Sequence, residues 1–326
     1  MPFMRGLFLL ILFLNQNAFA QSLSDSIPVA EVQKHLLFLA SDSLKGRANY
    51  TPEQHRAAQY IAAEFKKAGA QFLPTLSSYY HPFTTKNVDS TLLLPDSAGN
   101  YNSSHVLLNV IGVLPGKSKV KEVIIFSAHY DHIGMEKKSR DSVYNGANDN
   151  ASGTAALLTL MRYYAIKNNN ERTLIFCAFA GEEIGLKGSE ALSQIMNSES
   201  VKAMINIEMI GRHGAVGKNS FFITGAAKSN LAVHFRKMLK GKSIRVRTEP
   251  NLEKELFMRS DNFPFALKGI PAHTIMCSDD DDGCYHDTCD EAARIDVPNM
   301  TEIIKAIALC SEALVNGSFT PTRIRL

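Results

Sequence analysis

The chain has 326 residues, is 45% hydrophobic and 21% charged, and carries a formal net charge of +3. These values suit a globular protein with a sizeable core, built as one large α/β domain or two ordinary ones. Charge is nearly balanced and no basic block stands out, which speaks against nucleic-acid binding.

The first residues read as a processing signal rather than as structure. Arg5 gives a positive start, residues 7–14 a short apolar core, and Ala18-Phe19-Ala20 a small-x-small cleavage site before Gln21. A membrane anchor is the competing reading. The apolar core is too short for it, since a spanning helix needs about 20 residues. Export to the periplasm or beyond is therefore expected, with residues 1–20 removed. No later segment is long and apolar enough for stable membrane insertion.

The next element is a helix over 29–40. A second begins at Thr51-Pro52-Glu53-Gln54, where Thr51 is the expected N-cap, Pro52 suits the first helical position and Gln54 completes a capping box. Ala57, Ile61, Phe65 and Ala68 then recur at helical spacing. Residues 71–104 are polar and turn-rich and give no assignable pattern. From Val106 onward strands (106–114, 122–128, 173–179, 202–209, 220–224, 270–276) alternate with helices (151–165, 189–196, 230–239, 262–267, 297–315). This alternation predicts a three-layer α/β/α fold with a central mixed, mostly parallel, twisted sheet. No repeat or Pro/Gly/Ser-rich linker divides the chain, so 21–326 is expected to form a single catalytic domain, with a loosely held tail after Asn316.

Five cysteines are present. Export permits a disulfide. Cys284 and Cys289, close together in a loop, are the best candidate pair, and Cys277 competes for either. Cys177 and Cys310 lie inside a strand and a helix and read as buried thiols.

Chemistry-bearing residues gather at or just after strand ends, where open α/β sheets bind ligands. His129 ends the strand 122–128. Asp131, two residues on, is expected to accept from the other ring nitrogen of His129, as carboxylates do for metal-bound imidazoles. The turn Gly146-Ala-Asn-Asp149-Asn-Ala-Ser-Gly153 reads as a helix N-cap, yet it can also aim the two oxygens of Asp149 at two metals. Glu182 and Glu183 follow an apolar strand. Neighbouring residues there project differently, so one can bind metal while the other faces a metal-bound water. Glu208 closes an apolar run and needs a partner or a metal if buried. His286 sits between Cys284 and Cys289, next to Tyr285, whose hydroxyl could stabilise an oxyanion. Each residue alone has a bland reading, such as an exposed loop acid or a surface loop closed by a disulfide. Together they make the donor set of a two-zinc site with a spare carboxylate base.

In order and approximate spacing, five stretches resemble the zinc aminopeptidases of family M28: Ala128-His129-Tyr-Asp131, Gly146 to Gly153, Gly181-Glu182-Glu183-Ile-Gly-Leu-Lys-Gly-Ser189, Asn206-Ile-Glu208-Met-Ile-Gly211 and Tyr285-His286. Residues 38–47 and Ser260-Asp261-Asn-Phe-Pro-Phe265 with Gly269-Ile-Pro271 are similar to the same family, so the resemblance covers about residues 30–315. It implies two Zn2+ bridged by Asp149, one completed by His129 and Glu208 and the other by Glu183 and His286. It further implies Glu182 as general base and acid, Tyr285 as a stabiliser of the tetrahedral intermediate, and a disulfide near Tyr285-His286. The substrates implied are peptides with a free N-terminus. Glu208 departs from the family, whose usual residue is Asp, and its extra methylene shifts the carboxylate. Asp279-Asp280-Asp281-Asp282 reads as a solvated acidic loop, with attraction of a cationic N-terminus as the functional alternative. Two other functions compete: a single-zinc glutaminyl cyclase on the same fold and a non-catalytic binding module.

Overall fold

The computed structural model describes residues 27–136 and 142–326. The expected signal segment, residues 1–20, lies outside the described residues. The helices are α1 (Val29–Leu39), α2 (Pro52–Lys67), α3 (Gly153–Lys167), α4 (Lys187–Ile195), α5 (Leu231–Met238), α6 (Phe263–Ala266) and α7 (Val297–Val315). The strands are β1 (Tyr80–Phe83), β2 (Leu107–Leu114), β3 (Lys119–His129), β4 (Gly134–Met135), β5 (Val143–Tyr144), β6 (Arg172–Phe179), β7 (Val201–Ile207), β8 (Ser220–Ile223), β9 (Arg245–Arg247) and β10 (Ala272–Met276). No described helix is long and apolar enough to cross a membrane.

Among the described residues one eight-stranded sheet runs in the order β1-β2-β6-β3-β7-β10-β8-β9, and β4-β5 form a small separate hairpin. The central pairs β6–β3, β3–β7 and β7–β10 are parallel. The pairs β1–β2, β2–β6 and β10–β8 are antiparallel, and β8–β9 is parallel. The sheet is thus mixed with a parallel centre, as the strand–helix alternation predicts.

Alternation along the buried strands divides the core. Ile124, Phe126 and Ala128 of β3, with Leu174, Phe176 and Ala178 of β6, pack with residues of α1, α2, α3 and α7. Val123 and Ile125, with Ile175, Cys177 and Phe179, face the other way, onto Leu192 of α4 and Phe265 of α6. Side chains two apart share a face, so both faces of these strands need apolar residues, and the strands read as continuous apolar runs. Parallel pairing also brings the C-terminal ends of β3, β6, β7 and β10 to one edge. His129 pairs in register with Phe179, so the loop after β6 opens beside the end of β3.

Three details differ from the sequence reading. The segment 71–104 contains edge strand β1, antiparallel to β2. Its Pro82 is tolerated because an edge strand needs only one row of hydrogen bonds. The tail after Asn316 is not loose: the amide of Ile324 donates to Gly269 O at 3.1 Å, its side chain is buried, and Arg323 donates to Ser198 O and Lys268 O. Thr51 does cap α2, accepting from the Gln54 amide at 3.2 Å, but the Gln54 side chain turns to Asn49 instead of closing the capping box.

One buried cation joins the N-terminal segment to the strand-end loops. Arg47 is fully buried and donates to Tyr130 O and Asn145 O, each at 2.7 Å, to Gly146 O at 3.1 Å and to Leu39 O. Burial pushes its pKa down to about 10, with Asp131 and Asp149 working in the opposite direction, so it stays charged at neutral pH. Lysine cannot reach this fan of carbonyls with one ammonium group. Arg47→Lys should therefore cost at least about 3 kcal/mol in denaturant unfolding, because buried acceptors lose their donors. A loss under about 1 kcal/mol would show that the fan is not a stabilising tie.

Candidate metal centre

The turn before α3 places Asp149. The sequence marks Asp149-Asn150 as cap-like; the helix proper begins at Gly153, and of the two it is Asn150 whose side chain serves the helix start. Its side-chain oxygen accepts from the Gly153 amide at 2.9 Å and the Met209 amide at 3.2 Å. Gly153 is required by close approach: an added Cβ would lie 2.2 Å from Ile207 O. Asp149 is thereby free to point into the site. Its own amide, and that of Asn148, donate to the Asp290 carboxylate at 3.1 and 2.9 Å. Asp290 follows Cys289, so the Asp149 turn and the His286 loop are anchored to each other.

The loop after β6 is fixed by Asp131. The amides of Glu182 and Glu183 donate to the two Asp131 oxygens at 3.3 and 3.2 Å, and Asn49 donates to one of them at 2.6 Å. Asp131 was expected to take the ring proton of His129 on its carboxylate. In the structure the ring nitrogen lies 3.2 Å from the Asp131 backbone oxygen and 3.8 Å from the carboxylate, which is occupied with the glutamate amides. The residue is the expected partner, but through a different atom.

Glu208 follows β7, nearly buried, and accepts a hydrogen bond from the Ser260 hydroxyl. His286 is in the left-handed region at φ 51°, unusual for a non-glycine residue. The loop that holds it is closed by the disulfide Cys284–Cys289, while Cys177, Cys277 and Cys310 are buried free thiols. Tyr285 stacks on the His286 ring at 3.9 Å. Tyr285 also lines a pocket with Asp149, Glu182, Glu208, Met209, Leu256, Arg259, Ser260, Met276 and Asp280.

The acidic run beside this loop is neither a plain solvated face nor a free negative field. Lys254 pairs with Asp280 and Asp281, Arg259 with Asp280 at 3.0 Å, and Arg212 with Asp282 at 2.7 Å. These cations are distant in sequence, which is why the run reads as uncompensated there.

The donor atoms converge. His129 Nε2 lies 3.3 Å from Asp149 Oδ1, and His286 Nε2 lies 3.2 Å from Asp149 Oδ2 and 3.1 Å from Glu183 Oε2. Donor atoms of His129, Asp149 and Glu208 all lie within 4.8 Å of one another, as do those of Asp149, Glu183 and His286 together with His132. Glu182 Oε2 is 4.0 Å from His129 Nε2. His132 is a residue the sequence reading missed. It follows Asp131 directly, and only its place among spaced acids and imidazoles could have suggested it.

Zn2+ fits this donor set. Two donors on a tetrahedral ion, each about 2.0 Å from it, stand about 3.3 Å apart, and the contacts of Asp149 with the two imidazoles match that edge. The Nε2 atoms of His129 and His286 are buried and make no hydrogen bond. A bare nitrogen beside a carboxylate at that spacing is what a metal joins.

Electrostatics point the same way. Burial lifts Glu182 well above the usual carboxylate range, with Glu208 and Asp261 adding to it against the pull of His129. Burial likewise pushes Glu208 and Asp261 up to about 7. Burial resists charge on His286, yet the adjacent Asp149 and Glu183 carboxylates raise it to about 10, and the surrounding acids raise His129 as well. Burial also opposes ionisation of Asp149, but the two imidazoles hold it far below its usual value. So many buried carboxylates call for cations.

A sequence model described as peptidase family M28 matches residues 109–311. The chain belongs to peptidase family M28. A probable zinc metalloprotease of Pyrenophora teres f. teres (strain 0-1) is 29% identical over 184 residues, covering 56% of this M28 chain and 36% of the relative. Leucine aminopeptidase 1 of Trichophyton rubrum is 27% identical over 210 residues, covering 61% and 56%. The M28 chain thus spans from about a third to just over half the length of these curated relatives. Among solved structures, a zinc aminopeptidase from Bacillus subtilis superposes with a TM-score of 0.69 at 13% identity, covering 90% of this chain and 96% of that one. Porphyromonas gingivalis glutaminyl cyclase gives 0.65 at 14%, covering 89% and 99%. At these identities the likeness concerns the fold.

The raised carboxylates have a consequence for stability. Free carboxyls titrate near about 4. Glu208 and Asp261 hold their protons in the folded chain up to about 7. The folded metal-free chain therefore binds more protons than the unfolded one, and its stability falls as pH rises through that window. Zn2+ needs deprotonated donors, so its stabilisation grows over the same range. Thermal melts of stripped protein, with and without zinc, should show the midpoint falling and the zinc increment rising with pH. A pH-independent increment would contradict the carboxylate assignment.

Proposed function

We propose that this chain is an exported two-zinc aminopeptidase that hydrolyses the N-terminal bond of peptides. The observation that carries the reading is the division of Asp149, one oxygen facing His129 and the other facing His286. One carboxylate placed between two imidazole-containing donor sets is suited to bridging two ions. His129, Asp149 and Glu208 would hold one, and Asp149, Glu183 and His286 the other. When bound, such ions acidify a water and polarise a carbonyl.

The chain's own residues supply the rest. Glu182, whose carboxylate has a raised proton affinity through burial, lies beside His129 and faces the pocket. Its position suits removal of a proton from the attacking water and delivery of that proton to the leaving amine nitrogen. Tyr285, its ring stacked on His286, lines the pocket, which suits its hydroxyl to donate to the developing oxyanion. Met209, Leu256 and Met276 give that pocket an apolar wall suited to an aliphatic side chain. Carboxylates around the site favour a protonated α-amine, which makes a free N-terminus the group recognised. Export is supported by Arg5, residues 7–14 and Ala18-Phe19-Ala20. The disulfide beside His286 accords with an oxidising compartment.

Purified protein should hold two zincs per chain and release amino acids from unblocked but not N-acetylated peptides. One zinc, no peptide cleavage and cyclisation of N-terminal glutamine would replace this reading with the glutaminyl cyclase one. Glu182→Gln should keep its zinc and lose about 10²–10⁴-fold in kcat. Retention of kcat within tenfold would remove Glu182 from the proton-transfer role.

A further inference from the structure

His132 stands among the metal-site donors, but its geometry differs from theirs. Its Nδ1 lies 2.7 Å from Glu183 Oε1. That is shorter than the edge of about 3.3 Å expected between two donors on one tetrahedral ion. It is an ordinary length for a charge-assisted hydrogen bond. The other Glu183 oxygen, Oε2, is the one that lies 3.1 Å from His286 Nε2. Nδ1 is 3.9 Å from Asp149 Oδ2, beyond hydrogen-bond reach. The Nε2 of His132 is buried and makes no hydrogen bond, in keeping with the ring proton residing on Nδ1.

The ring is held on several sides. Its own amide donates to Arg47 O at 3.3 Å, and residue 132 bridges to Ala48. Gly146, at φ 56°, lies flush against the ring: an added Cβ there would fall 2.6 Å from the imidazole carbons. The Gly146 carbonyl is in turn bound by Arg47 at 3.1 Å. The His286 ring packs edge-on at 5.5 Å. Asp131, the preceding residue, binds the Glu183 amide. Adjacent residues thus hold the backbone and the carboxylate of the same glutamate.

We propose that His132 is a positioning residue that donates from Nδ1 to Glu183 Oε1 and so holds Glu183 as a one-oxygen ligand, its Oε2 turned to the ion shared with His286 and Asp149. The inference rests on the metal-site reading above. It assigns His132 no place in the coordination sphere and no part in proton transfer.

The test compares His132→Asn, His132→Gln and His132→Ala in the full chain, with folding of each metal-free variant checked by circular dichroism. The Asn amide nitrogen occupies the place of Nδ1 and can donate to Oε1, yet it is a poor zinc ligand. The longer Gln places its amide nearer to Nε2. Affinities for both ions are read by chelator competition, and Co2+ absorption reports the coordination of each. The expected result is a 10–100-fold weakening of one ion only in the Gln and Ala variants. In the Asn variant both ions should bind within about threefold of the parent with an unchanged Co2+ spectrum. If Ala does not fold, the Asn–Gln contrast decides. Equal weakening in Asn and Gln would make His132 a ligand and overturn the proposal, as would parental affinities in Gln and Ala. A parent that binds fewer than two ions would instead defeat the two-metal reading itself.

Discussion

Asp149 is a buried carboxylate shared by two imidazoles, and the loops at this sheet edge are built around that constraint. A carboxylate cannot be packed beside Glu182, Glu183 and Glu208 without compensation. Two imidazoles offset part of the charge, and cations must supply the rest. The pKa directions express that tension: Asp149, between the imidazoles, is pulled down, while Glu182 and Glu208, short of positive partners, are pushed up by burial. Such a cluster is a functional device that costs stability, which the apolar sheet beneath it offsets.

Holding these acids together takes backbone hydrogen bonds more than side-chain contacts. Asp131 takes the amides of the glutamate pair, Asp290 takes the amides of the Asp149 turn, and Asn148 takes those of Gly211 and Arg212. Arg47 ties the carbonyls behind two of these loops. Each anchor joins segments from different strand connections. The site therefore depends on the parallel centre of the sheet, which delivers the ends of β3, β6, β7 and β10 to one edge. Loops carry the chemistry, and the sheet sets their spacing.

Much of this was legible in the sequence. Apolar runs ending in His129, Glu182-Glu183 and Glu208 marked buried strands whose ends carry polar groups, and the strand–helix alternation implied the sheet. What escaped depends on contacts between residues far apart in the chain. Asp290 reads as one acid among several until its bonds to the Asp149 turn, more than a hundred residues away, are seen. The acid run 279–282 looks uncompensated because Lys254, Arg259 and Arg212 lie in other segments. Strand β1 lacks alternation and contains Pro82, and the polar tail hides apolar anchors in Phe319, stacked on His234, and buried Ile324. His132 is not marked in the sequence, because proximity to Asp131 in the chain gives no hint that its ring meets Glu183.

The central claim is that Asp149 divides its two oxygens between two ions. Anomalous diffraction at the zinc edge, on crystals of zinc-loaded protein, tests it without relying on turnover. Two peaks about 3.5–4 Å apart should flank the Asp149 carboxylate, one beside His129 and Glu208 and the other beside Glu183 and His286. A single peak, or a pair that does not share Asp149, would contradict it.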